Sequence, residues 1–291
     1  MLTIRPMTPA DVGQAEEVAA AAFSGLRQAQ HLPSEERTDE SIARSRARMT
    51  HLVGTDPGGS WVAVDGDQVL GVALALTRGG VWVLSLLVVS PSYQDRGTGR
   101  RLLERALAYG DPAGPGIILA SPDPRALHRY VSAGFSLHPS VTAWGTPRRR
   151  PRPAPGIVTV GPDGLAAALD EIDTIDTKVR GASRRPDMEA NLSVPGARML
   201  LDPGRGYALV RRGLVLTVAA LDEEAAGRLV ATALAEAPEG EPAELGWITG
   251  TQQWAVRAAA EAGLELRVRG AVMVRGWARP PDAYLPSGAF G

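Results

Sequence analysis

The 291-residue sequence predicts an α/β (α+β) protein built from two similar halves. Three observations carry this. Strand-like and helix-like stretches alternate from end to end. A strand, a glycine turn and a helix follow one another without a gap from Val81 to Arg105, VWVLSLLVVSPSYQDRGTGRRLLER. The order of elements in the first half then returns in the second, beyond residues 147–156, PRRRPRPAPG. That segment offers neither a run of ladder donors nor an apolar face, so it reads as extended linker with solvated arginines. The expected division is therefore 1–146, linker 147–156, and 157–291 with a C-terminal tail.

In chain order, Thr3 to Pro6 reads as a strand. Thr8-Pro9 is an N-cap followed by proline at the first helical position, opening a helix to about Phe23. Gly25 to Arg37 is polar and irregular, and Thr38 caps a second helix to about Leu52. Trp61–Asp65 and Gln68–Leu76 flank the turn Asp65-Gly66-Asp67, a hairpin signal. Arg78-Gly79-Gly80 turns the chain into the apolar strand that ends at Val89. After the helix that follows come a short strand at Gly116–Ala120 and a helix at Asp123–Ala133, closed by Gly134-Phe135.

Composition limits the chemistry. There is no cysteine, which removes disulfides, zinc thiolates and cysteine nucleophiles. The four histidines, His31, His51, His128 and His138, lack ligand-like pairing, so no metal is expected. A net charge of −1, spread evenly over both halves, calls for no nucleic-acid partner. No apolar run reaches the length of a membrane span and no signal peptide is visible, so the expected location is cytoplasmic.

The turn Gln94-Asp95-Arg96-Gly97-Thr98-Gly99-Arg100 is a phosphate-binding geometry. Its glycines allow a tight turn and close approach, and the free N–H groups and dipole of the next helix face an anion. It is not G-x-x-x-x-G-K-[ST], because no lysine follows, nor G-x-G-x-x-G, because Leu102 stands where the third glycine belongs. A tight β-to-α connection with nothing bound accounts for the same residues. The turn does resemble the Q/R-x-x-G-x-G/A turn of the GCN5-related N-acetyltransferases (GNAT), with Gln94, Gly97 and Gly99 on the defining positions. The order of elements up to this helix is also that of the GNAT fold. A second motif follows: Ala126-Leu-His-Arg-Tyr130-Val-Ser-Ala-Gly134-Phe135 resembles the A-x-x-x-Y-x-x-x-G-F signature that closes the cofactor half of that family.

The resemblance implies two GNAT-like domains, each a twisted mixed β-sheet flanked by helices. It also implies acetyl-CoA as cosubstrate, with its pyrophosphate on residues 94–100 and its pantetheine arm on the backbone of Leu87, Val88 and Val89. Tyr130 would be the general acid that protonates the departing thiolate, or else one more core residue of an amphipathic helix. Asp123 stands where many relatives carry Asn near the cofactor.

The general base is not evident, because Val81–Val89 contains no carboxylate. Glu16, Glu17, Glu35, Glu36 and His31 are candidates, each also readable as a surface group. A further candidate is the carboxylate of Gly291. The tail 278–291 is too proline-rich for a helix and too apolar to be free, so it is expected to dock, either crossing to wall the acceptor pocket of the first domain or only stapling the domains.

In the second half, strands are expected at Ile157–Val160, Arg198–Asp202, Gly206–Arg211, Leu214–Leu221, Glu244–Ile248 and Val272–Trp277. Helices are expected at Gly164–Ile172, Asp222–Ala235 and Gln252–Gly263. Aligning Leu229-Val230 with Leu102-Leu103 puts Glu224 and Ala226 at the places of Gly97 and Gly99, and aligning Gly263-Leu264 with Gly134-Phe135 puts Ala259 at that of Tyr130. Both chemical devices are missing, and Asp222, Glu223 and Glu224 would repel a phosphate. The acidic run Asp170–Asp176 with Arg180, Arg184 and Arg185 is either a solvated helix face or an acceptor-binding wall.

The expected activity is transfer of an acetyl group from acetyl-CoA to a primary amine of a small molecule or peptide, by a monomer (an internal pseudo-dimer) or a homodimer. Alternatives are a transferase for longer acyl-CoA, an enzyme resembling the tandem mycothiol synthases, whose working site belongs in the second half, and a non-catalytic acyl-CoA sensor.

Overall fold

A computed structural model describes residues 2–31 and 36–291; Glu35, one of the base candidates, lies outside the described residues. The chain forms two compact units, Met1–Gly116 and Ile117–Gly291.

The first unit is an antiparallel meander, β1 (Thr3–Pro6), β2 (Ser60–Asp65), β3 (Gln68–Arg78) and β4 (Val81–Val89), each strand paired with the next. The continuous apolar runs of β3 and β4 make both strands almost wholly buried. Helices α1 (Val12–Ala29) and α2 (Asp39–Thr55) pack on β3, and α3 (Thr98–Leu107) lies over β2, β3 and β4. Thr38 caps α2, its hydroxyl accepting from the Ser41 amide at 3.2 Å. The first helix is longer than its periodicity predicts and reaches Ala29. Gly71 allows α3 to settle: a Cβ there would meet Leu102 Cδ1 at 2.9 Å and the Val88 carbonyl at 3.2 Å.

The second unit holds β5 (Gly116–Ala120), α4 (Pro124–Ser132) and β6 (Ser136–Gly145). These are followed by β7 (Val158–Val160), α5 (Leu165–Arg180), α6 (Arg185–Leu192), β8 (Ala197–Asp202), β9 (Gly206–Arg211) and β10 (Leu214–Ala220). Then come α7 (Glu223–Ala235), β11 (Ala243–Thr249), α8 (Gln253–Ala262), β12 (Glu265–Arg275) and the two-residue β13 (Tyr284–Leu285). From β1 to β6 and again from β7 to β12 the order is strand, two helices, three strands, helix, strand, helix, strand, so the repeat seen in the sequence is a repeat of the fold. Within this unit the strand order is β5-β12-β6-β11-β10-β9-β8-β7. The core cluster around α7, α8 and β10 includes Leu229, Val230, Leu245 and Trp254.

The compact units do not divide at 147–156. The reason is strand exchange: β6, from the first repeat, pairs antiparallel with β12 over nine residues from Glu265↔Trp144 to Val274↔Ser136 and with β11 on its other edge. The end of the first repeat is thereby built into the sheet of the second. The Pro/Arg segment is pinned there as well by its backbone and by the Arg150 side chain, while Arg148, Arg149, Arg150 and Arg152 stay exposed to solvent, as expected. Arg150 Nη1 donates to the Ala237 carbonyl at 2.7 Å, the Ala154 amide to Thr232 Oγ1 at 3.0 Å, and the Arg148 amide to the Ala262 carbonyl at 2.9 Å.

Candidate functional site

The site begins where β4 ends. Ser90 leaves the strand with its amide on the Leu70 carbonyl at 2.8 Å, and Pro91–Tyr93 makes one 3-10 turn closed by Tyr93 N–H to the Ser90 carbonyl at 2.8 Å. Gln94 Nε2 reaches back to the Val89 carbonyl at 3.1 Å, fixing the turn against the last strand residue. Asp95 and Gly97 are both left-handed, with φ of 61° and 78°. Gly97 is the residue before α3; a Cβ on it would touch nothing, so the backbone angle, not crowding, calls for glycine there.

No side chain caps α3, so its first amides are not engaged from that side and present the positive end of the helix. At the first position of α3, Thr98 is buried and its Oγ1 has no hydrogen-bond partner among the described residues. Gly99 is buried beside it. Arg96 stacks on Tyr93 at 4.9 Å, and Arg100 extends into solvent with Glu104 at 3.7 Å. Of the strand residues, Leu87 and Val89 are half-buried and Val88 is buried, and Leu87, Val88 and Val89 pair with Ala73, Val72 and Gly71. An anion-receptive helix start, a glycine-shaped turn and an orphaned hydroxyl fit a diphosphate.

The same strand holds a residue to which the sequence reading gave no role. Between Leu84↔Ala75 and Leu86↔Leu74 the register slips, leaving Ser85 unpaired as a bulge with its Oγ buried and without a hydrogen-bond partner among the described residues. Its only sequence signal is a lone polar residue inside an apolar run.

Tyr130 and Asp123 belong to the second unit. Asp123 caps α4, its Oδ1 accepting from the Arg125 amide at 2.9 Å, and pairs with the Arg125 guanidinium at 3.0 Å. The Tyr130 ring is buried, and burial pushes its phenol well above the ordinary value. The Phe135 amide donates to the Tyr130 carbonyl at 3.1 Å, and the Leu264 amide to the Ala259 carbonyl at 3.0 Å, so Ala259 occupies the Tyr130 position of the second repeat.

The base candidates fare differently. Glu16 is buried and bound to Arg37, hence committed to an ion pair; Glu17, Glu36 and His31 are exposed. Gly291 lies in the second unit, where its backbone oxygen accepts a hydrogen bond from the buried Arg184. The tail packs on β10, and an oxygen held by a guanidinium has little basicity left, so the Gly291 base is set aside.

Two further expectations change. The cap of α7 is Asp222, two residues earlier than the leucine alignment puts it; Asp222 Oδ1 accepts from the Ala225 amide at 2.8 Å, taking the donor that a phosphate would need. Arg184 and Asp176 are wholly buried against each other, and Arg185 Nε binds Asp173 at 2.6 Å, so this cluster is an internal clasp between α5 and the start of α6. Among the described residues no three His, Asp or Glu side chains converge as a metal site, and no helix is long and apolar enough to cross a membrane.

Comparison with known proteins agrees with the geometry. Residues 25–135 match the model described as the acetyltransferase (GNAT) family. The fold resembles a candidate acetyltransferase from Pyrococcus horikoshii, with 20% identity, 100% of this chain and 96% of that one covered and a TM-score of 0.77. It also resembles a GCN5-related N-acetyltransferase from Kribbella flavida, with 17% identity, 94% and 70% covered and a TM-score of 0.59. A tandem GNAT protein from the clavulanic acid biosynthesis pathway shows 16% identity, 94% and 98% coverage and a TM-score of 0.56. Residues 25–135 thus match the acetyltransferase (GNAT) family, and over the whole chain the fold resembles these structures, one of them a tandem GNAT protein.

Proposed function

We propose that the chain transfers an acetyl group from acetyl-CoA to the primary amine of a small molecule or peptide. The observation that carries this is the start of α3: left-handed Gly97, uncapped amides and the unpartnered Thr98 hydroxyl in one turn. The amides at 98–100 hold the diphosphate and the backbone of Leu87–Val89 holds the pantetheine arm. The amine nitrogen attacks the thioester carbonyl carbon, the C–S bond breaks, Tyr130 gives its proton to sulfur, and the amine releases a proton to solvent. Burial keeps the phenol protonated, so the proton is present to be given up when negative charge reaches sulfur.

One observation favours a second reading, a non-catalytic acyl-CoA sensor: the buried carboxylate near the start of the chain, Glu16, is already paired. Calorimetric titration with acetyl-CoA, followed by thiol release over a panel of amines, separates the two. Saturable binding that Gly99→Glu abolishes, with amine-dependent thiol release, supports the transferase. Binding without turnover supports the sensor, and wild-type affinity in Gly99→Glu removes the turn from both.

A further inference from the structure

In the second repeat β10 lies beside β11 only at Leu214↔Glu244 and Val215↔Leu245. The last residues of β10 pair instead with the tail, antiparallel, Val218 with Leu285 and Ala219 with Tyr284. The Ala220 amide donates to the Ala283 carbonyl at 3.0 Å and Thr217 Oγ1 to the Leu285 carbonyl at 2.8 Å. Two side chains at the start of α8 complete the grip: Gln252 Nε2 donates to the Pro281 carbonyl at 2.8 Å and Trp254 Nε1 to the Asp282 carbonyl at 2.9 Å. Tyr284, Leu285 and Phe290 are buried.

By the internal repeat β10 stands for β4, and Val218–Ala220 end it as Leu87–Val89 end β4. We propose that the second repeat carries a peptide-binding cleft in the place of an acyl-CoA site, and that its resident ligand is the chain's own segment 281–291, added to β10 as a strand. Main-chain hydrogen bonds supply the grip, and pockets for Tyr284 and Leu285 supply selectivity. Phosphate chemistry is excluded at the mouth of the cleft. A cavity of about 490 Å³ there is lined by Asp222, Glu223 and Asp282 against the single ammonium of Lys178, and Asp222 already occupies the helix cap. The peptide cleft stands on these contacts alone; only its equivalence to an acyl-CoA site rests on the proposed function.

The test uses the full chain with a protease recognition sequence inserted between Ala278 and Arg279, both exposed. After cleavage of the folded protein, the C-terminal fragment should remain bound one to one through gel filtration and leave only in denaturant. A fluorescent synthetic peptide of residues 280–291 should then rebind the stripped protein, and its Leu285→Asp version should bind at least about tenfold more weakly. Release of the fragment on cutting, or equal binding of the two peptides, overturns the proposal. No cofactor enters this experiment, so its failure is distinct from a failure of acetyl-CoA binding by the first repeat.

Discussion

Arg184 grips Asp176 with two parallel hydrogen bonds, Nε to Oδ2 at 3.0 Å and Nη2 to Oδ1 at 3.1 Å, and neither side chain has any exposed surface. Tyr207 joins them, its hydroxyl donating to Asp176 Oδ1 at 2.5 Å and accepting from Arg184 Nη2 at 2.7 Å. Burial works to lower the pKa of the guanidinium, but the Asp176 charge, Tyr207, Tyr284 and the Asp176 hydrogen bond together more than offset it and hold it well above its ordinary value. Removing one partner strands the other charge. Asp176→Ala should therefore cost about 3–5 kcal/mol in urea unfolding, whereas the paired replacement Asp176→Leu with Arg184→Met should recover most of that loss. Equal losses in the single and double variants would show that shape, not charge, holds α5 to α6.

Gly97 tests the turn without touching a ligand. Its φ of 78° is costly for any side chain, while the space around a Cβ is open. Gly97→Ala should thus lose about 1–2 kcal/mol of stability through backbone strain alone. A loss near zero in chemical denaturation would mean that the turn relaxes to another conformation.

The elements that local pattern defines were legible: β4 and β5 fall on their expected boundaries, Thr38 caps as its position predicts, and the second meander sits within a residue or two. What was not legible depends on distant partners. Strand β6 has a burial pattern with little alternation and contains Pro139, and it owes its order to β11 and β12, about a hundred residues away or more. Strand β12 runs from Glu265, earlier than its apolar end suggests, for the same reason. Helix α6 offers only Met188 and Leu192 as buried apolar anchors over eight residues, too few for a periodic signal. In the site, the glycines and Tyr130 were readable as motif. The bulge at Ser85 was not, because a register slip belongs to a pair of strands and leaves no mark in one of them.

Acid should loosen the start of the chain. Two guanidinium hydrogen bonds from Arg5, at 2.8 and 2.7 Å, hold Asp11 well below the usual carboxylate range; burial opposes them, and the Thr8 amide at 2.8 Å adds to them. A depressed folded-state pKa stabilises above the unfolded value and is lost as protons return, so this contribution is present at neutral pH and disappears as pH falls below about 4. Asp11→Asn should lower stability at pH 7 and flatten its acid dependence. A variant that keeps the wild-type slope between pH 5 and pH 2 would assign that slope to other carboxylates.

Tyr130 separates catalysis from architecture. Its side chain is buried in the second unit. Tyr130→Phe keeps the ring and removes only the hydroxyl, so thermal stability should hold. If Tyr130 protonates the leaving thiolate, kcat should fall by about 10²–10⁴ with acetyl-CoA affinity nearly unchanged. The pH profile adds a sign. Burial raises the phenol pKa, so the acid stays protonated through the assay range and cannot create a fall in kcat below pH 10. Any alkaline limb seen in that range should therefore persist, with the same midpoint, in the phenylalanine variant. Disappearance of that limb in Tyr130→Phe would show that the phenol titrates lower than its burial dictates, and an unchanged kcat would remove Tyr130 from the chemistry altogether.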